Sequence, residues 1–160
     1  MQSNNAQTRA LILEVSKREF EAKGFQGASM RTIASGAGVS AAGLYNYFES
    51  KDAIFLEFVS PCVSFLKEMG SVPQTPKEVK AVLKKYIAAQ EKDPDAFNLA
   101  FAKSRGSSLF RDFIHLTKDE DPLKEFRARM FFLLLQQIAM MPMSAEARDT
   151  LINSYLSAIS

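Results

Sequence analysis

Apolar positions recur at helical spacing along nearly the whole chain, and strand-like alternation is missing. Ile12, Leu13, Ser16 and Phe20 share one stripe of a helix expected over Thr8 to Lys23, closed by a basic last turn and Gly24. Ser29 is placed to cap a short helix from Met30 to about Gly36. After the turn Ala37-Gly38-Val39, Ser40 caps another from Ala41 to Phe48. Ser50 opens a longer helix reaching Met69. Thr75-Pro76, Asp93-Pro94 and Asp121-Pro122 each set a capping side chain before a proline at the first helical position. They predict helices over Pro76 to Lys92, Pro94 to Ser104 and Pro122 to Met141. Ser107 to Lys118 and a segment from Ser144 onward complete nine helices and no sheet. Pro61 falls inside the fourth helix, where the missing N–H predicts either a kink or a split. The polar stretch MQSNNAQ at the start is expected to fray.

Composition narrows the function. One cysteine and one histidine exclude a disulfide framework and the common four-ligand zinc cages. His115 reads as a surface or structural residue and Cys62 as a small buried one. The longest apolar run, Met130 to Leu135, is far short of the roughly 20 residues that span a bilayer. With no leader pattern, the chain reads as soluble and cytoplasmic, without membrane contact. The net charge of +2 resides entirely in the segment ending at Lys51, with six basic and four acidic residues. No nucleophile triad, phosphate loop or metalloprotease motif is present, so no catalytic residue, cofactor or metal is assigned.

The segment Ser29 to Lys51 carries the most chemistry. Two short helices joined by a glycine-containing turn predict a helix-turn-helix. Ile33, Ala34, Val39, Leu44 and Phe48 are its inward positions, and Gly38 supplies the left-handed turn. Ala41, Ala42, Tyr45 and Asn46 are thereby forced outward, small at the leading end and polar beyond it. Such a face can approach base edges in a major groove.

The stretch GFQGASMRTIASGAGVSAAGLYNYFESKDAI resembles the DNA-binding domain of the tetracycline-repressor (TetR/AcrR) family. The resemblance covers about a third of the chain, from Thr8 to Leu56. It implies a dimeric all-α regulator, with an N-terminal helix-turn-helix domain (1–51) joined by a shared helix to a helical regulatory and dimerisation domain (52–160). Its expected partners are double-stranded operator DNA, a small apolar or amphipathic effector and a second copy of the chain. The family pattern implies DNA contacts for Ser29, Arg31, Ser40, Tyr45, Tyr47 and Lys51. Ala41 stands where the family often has lysine, and Gly43 where it often has threonine. Base reading then falls on Asn46, suited to adenine, and on Ala41 or Ala42 against a thymine methyl, unless Asn46 is merely exposed.

Thirteen phenylalanines and seven methionines without tryptophan suggest a pliable interior. Phe97, Phe101, Phe110, Phe113, Met130 and Leu134 are candidates to line an effector cavity or simply to fill a core. Met130 to Leu135 leaves its helix without a polar face, and Leu151, Ile152, Tyr155, Leu156 and Ile159 form a second broad stripe. Together they suit either a dimer interface or packing within one chain. The expected function is a ligand-responsive regulator, most simply a repressor. An all-helical carrier or enzyme and a DNA binder without effector are the alternatives.

Overall fold

The computed structural model describes residues 2–159, with side chains from Asn4 to Ile159. Among them are nine helices: α1 Gln2–Gly27, α2 Met30–Gly36, α3 Ala41–Tyr45, α4 Lys51–Met69, α5 Pro76–Lys92, α6 Pro94–Lys103, α7 Ser108–Thr117, α8 Pro122–Met140 and α9 Ala145–Ile159. The fold is all-α.

Local chemistry places the helix starts. The side chains of Ser29, Ser40, Ser50, Thr75, Asp93, Ser107 and Asp121 accept a backbone N–H in the first turn of α2 through α8. Ser144 does the same for α9. Each such cap contributes about 1 kcal/mol. Thr75 and Glu78 form a reciprocal capping box, and the N–H groups of Gln74 and Thr75 hold the Glu78 carboxyl below its usual range.

Three expectations change. The polar N-terminal stretch is helical from Gln2, with Met1 outside the described residues. Extending an existing helix adds one backbone bond per residue ordered, so no new nucleus is needed. Regular α1 geometry is interrupted at Gly24 (φ 68°, ψ 175°), as its glycine predicts, yet one more turn follows and closes through Ala28 N–H to the Gly24 carbonyl. α3 ends at Tyr45 and not at Phe48. Asn46 and Tyr47 donate to carbonyls three residues back, tightening the exit of the helix.

α4 runs unbroken through Pro61, so the helix does not split there. Its first half packs under α1, where Phe55 meets Phe20 and Phe25 edge-on at 5.1 and 5.3 Å. Its second half joins another aromatic group, in which Tyr86 lies 5.2 Å from both Phe65 and Phe97. The Tyr86 hydroxyl donates to the Leu135 carbonyl at 2.8 Å, which satisfies the polar end of a buried ring. Burial pushes the Cys62 thiol up to about 12 and raises the Tyr86 phenol well above its ordinary value.

α6 touches α1, α4, α5 and α8. The N-terminal helices therefore meet the rest of the chain through α1 and α6 as well as through α4. α8 resolves the ambiguity of its apolar run by rotation. Phe131, Phe132, Leu134 and Leu135 are buried, whereas Met130 is exposed and Leu133 is 50% exposed. The stripe on α9 is used inside the monomer: Tyr155, Leu156 and Ile159 are buried, and Leu151 and Ile152 half-buried. Among the described residues, no helix is long and apolar enough to cross a membrane.

Candidate nucleic-acid interface

The geometry of the α2–α3 unit follows from a few positions. Ile33 and Ala34 are buried on α2, and Leu44 and Phe48 on and just beyond α3. Gly38 (φ 68°) makes the turn, and Val39 N–H donates to the Ala34 carbonyl at 3.0 Å. Gly43 N–H reaches Ser40 Oγ at 2.9 Å, and a Cβ on Gly43 would lie only 3.0 Å from that oxygen. The glycine that costs α3 helix propensity thus leaves room for its cap.

With Leu44 fully buried, the opposite face is solvent-facing. Ala41, Ala42 and Asn46 are exposed, Tyr45 is 55% exposed and Tyr47 is half-buried. Arg31 on α2 is exposed and makes no ion pair or hydrogen bond among the described residues. Its five donors are available to a phosphate.

Lys51 is more constrained than the sequence suggests. Its ammonium donates to the Ala28 carbonyl at 2.9 Å and sits 4.6 Å from the centroid of the Phe25 ring. That carbonyl immediately precedes the Ser29 cap, so Lys51 joins the starts of α2 and α4. An ammonium has three donors, which leaves two for an outside acceptor. Arg9 braces the same unit, lying 4.8 Å over Phe48 and pairing with Glu57 at 2.6 Å. Glu19 accepts from Lys23 at 2.8 Å and from Ser29 N–H at 3.4 Å, which ties α1 to the start of α2.

Beside Lys51 is a residue that sequence reasoning passed over. Asp52 Oδ1 accepts from Ser108 N–H at 2.7 Å, across 56 residues of chain, and so anchors the N-terminus of α7 to the first turn of α4. An acidic residue in the first turn of a helix looks like ordinary dipole complementation, so nothing local marked it. The connection before α7 is drawn equally close to α1. A Cβ on Gly106 (φ 88°) would fall 2.0 Å from Gln26 Oε1.

The candidate effector residues are only partly brought together. Phe101, Phe110 and Phe113 line a groove of about 280 Å³ between α6, α7 and α8. Phe101 stacks on Phe113 at 5.1 Å, and Phe113 meets Phe132 at 5.5 Å. Phe97 is instead buried in the Tyr86 group. Met130 and Leu134 lie on other faces of α8, and the groove takes Arg129, Phe132, Leu133 and Gln136 in their place. Those four follow the i, i+3, i+4, i+7 pattern of one helical face. Cys62 is buried, His115 is exposed, and no cluster of metal-ligating side chains occurs among the described residues.

Comparison with known proteins adds the following. Residues 12–58 match the family model "Bacterial regulatory proteins, tetR family". Over 69 residues the chain is 32% identical to the "Uncharacterized HTH-type transcriptional regulator YdgC" of Bacillus subtilis (strain 168), covering 43% of this chain and 35% of that protein. Over 85 residues it is 34% identical to YerO of the same organism, likewise described as an uncharacterized HTH-type transcriptional regulator, covering 51% and 29%. The chain thus spans about a third of the length of the curated relatives it matches. Among solved structures, a putative TetR-family transcriptional regulator from Mesorhizobium loti MAFF303099 is similar at 18% identity and a TM-score of 0.41, covering 96% of each chain. The HlyIIR mutant with residues 170–185 substituted by alanine is similar at 20% and 0.49, again over 96% of each chain. A TetR transcriptional regulator from Rhodococcus sp. RHA1 is similar at 15% and 0.45, over 98% and 97%.

Proposed function

We propose that this chain, whose residues 12–58 match the tetR family of bacterial regulatory proteins, is a member of that family and a dimeric DNA-binding repressor released by a small effector. Residues 1–51 read the operator, and residues 52–160 sense the effector and dimerise. The observation that carries the reading is the α3 face. Ala41, Ala42, Tyr45 and Asn46 stand exposed over a fully buried Leu44, beside an unpaired Arg31. Arg31, Lys51, Ser29 and Ser40 hold phosphates, with Tyr45 and Tyr47 at the groove edge. Asn46 and the two alanines read bases.

The dimer reading rests on α8. Leu123, Phe126, Met130, Leu133 and Met140 are all exposed and follow a three-four spacing along one seam, with Gln137 completing the repeat. A heptad seam of this kind is covered by a matching helix, here from a second copy. A two-fold dimer reads a palindrome with half-sites about one helical turn apart, or a multiple of that.

Selection of binding sites from random duplex should yield an inverted repeat, and retention on generic DNA should fall steeply with salt as counterions are released. A chain that ignores duplex DNA even at low salt is a carrier or enzyme, and the reading fails. Phe126 is 60% exposed, so Phe126→Lys leaves the monomer intact. It should halve the sedimenting mass and weaken operator binding together. A wild-type protein that sediments as a monomer at micromolar concentration overturns the dimer.

A further inference from the structure

The aromatic groove between α6, α7 and α8 is not isolated. It shares Phe101, Ser104, Phe110 and Gln136 with a second groove of about 470 Å³, which opens between the last turn of α1 and the α6–α7 connection. The two differ in chemistry. The first is walled by the Phe101–Phe113–Phe132 rings. The second carries Lys23, Lys103 and Arg105, and no carboxylate side chain lines it. Lys23 is held by Glu19 at 2.8 Å, whereas Lys103 and Arg105 make no ion pair among the described residues. At the junction the Gln136 amide, half-buried on α8, has no hydrogen-bond partner among those residues either. An apolar slot that opens onto unpaired cations and a free amide matches a molecule with the same division.

We propose that the joined grooves bind an amphiphile with an apolar chain or ring system and a single anionic head. The apolar part lies against Phe101, Phe113 and Phe132. The head meets Lys103 and Arg105, with Gln136 donating at the boundary. This assignment deepens the reading of the aromatic groove as the effector site and rests on it. A neutral molecule of the same shape gains only the apolar contact. A cationic one meets like charge at the mouth, and an anion confined to the aromatic slot would lose hydration and meet there only Arg129, whose guanidinium is already paired with Glu125. The site also explains where binding would be felt. Lys103 is the last residue of α6, and its carbonyl and side-chain stem lie 3.7 and 3.9 Å from the position a Cβ on Gly24 would take. A head group held there touches α1 and α6 at once.

The test is calorimetric titration of the whole chain with decanoate, decanol and decylammonium, each below its aggregation threshold. Decanoate should bind about tenfold more tightly than decanol, the margin expected for one charge-assisted hydrogen bond, and decylammonium most weakly. The double variant Lys103→Gln/Arg105→Gln should abolish the margin and leave decanol affinity unchanged. Equal affinities for decanoate and decanol, or a margin that survives in the double variant, would overturn the anionic-head assignment while leaving the apolar site standing. Absence of binding by both decanoate and decanol would overturn the effector reading of the groove itself.

Discussion

Arg31 and Lys51 are both cations at the candidate DNA surface, yet they should fail differently when neutralised. Arg31 has no partner within the described chain, so Arg31→Gln removes only an outside contact. It should lower the salt slope of DNA binding by about one per subunit, with folding stability unchanged within about 0.5 kcal/mol. Lys51 also holds the Ala28 carbonyl and the Phe25 ring, so Lys51→Ala should reduce the slope and additionally cost about 1 kcal/mol of stability. Salt titrations beside urea melts of both variants separate the two. Asn46→Ala should leave the slope alone and relax preference at one position of each half-site by ~1–3 kcal/mol. Uniform loss on every sequence would make Asn46 a positioning residue. The outward face of α3 was legible in the sequence, because burying Leu44 and Phe48 dictates it. The internal bond of Lys51 was not, since its acceptor is a backbone carbonyl 23 residues away.

At the level of elements, two routes run from the aromatic groove to the DNA face. One passes through α6, which lines the groove and packs on α4, and then along α4, continuous from Lys51 to Met69, in which Pro61 leaves the Glu57 carbonyl without its usual donor. The other is α7. It carries Phe110 and Phe113 into the groove, and its first turn is fastened to Asp52, the neighbour of Lys51. The second is shorter and involves a single strong bond. Asp52→Ala should therefore bring the ratio of operator affinities without and with decanoate close to one, where intact coupling would be about 5–150-fold. Pro61→Ala should change that ratio less, since α4 is already one helix. Operator titrations of both variants at fixed decanoate decide it. A full response in Asp52→Ala, with a lost response in Pro61→Ala, would assign the signal to α4.

For the molecule as a whole, the buried titratable groups set an alkaline limit. The Cys62 thiol, ordinarily near 9.0, is pushed to about 12 by burial, and the Tyr155 phenol is raised to about 12 for the same reason. Tyr86 moves in the same direction. For each, the neutral form is favoured in the folded chain. Stability is therefore complete below the unfolded value and drains as pH rises toward the folded one. Thermal midpoints should fall progressively between about pH 9 and 12, and Cys62→Ala should flatten the first part of that decline. An identical decline in the variant would mean that the thiol is not the group responsible. The Cys62 thiol should also resist alkylation at neutral pH until the chain unfolds.

The features readable along the chain are those whose cause lies within four residues of their effect. Ser29, Ser40, Ser50, Thr75, Asp93, Ser107 and Asp121 each bond a backbone N–H two or three positions ahead, so their helices start where spacing predicts. The helix-turn-helix was legible for the same reason, its turn and its buried positions all falling between Ser29 and Phe48. α8 was different. From Met130 to Leu135 it is apolar all round, and a pattern with no polar face has no phase, so periodicity could not say which side meets α6 and which stays open. Packing settled that rotation, and with it sent Met130 and Leu134 away from the groove and Phe132 and Gln136 into it. The Asp52–Ser108 bond, the Lys51–Ala28 bond and the junction of the two grooves likewise depend on how helices cross. Crossing is a property of whole surfaces in contact, and no short stretch of sequence carries it.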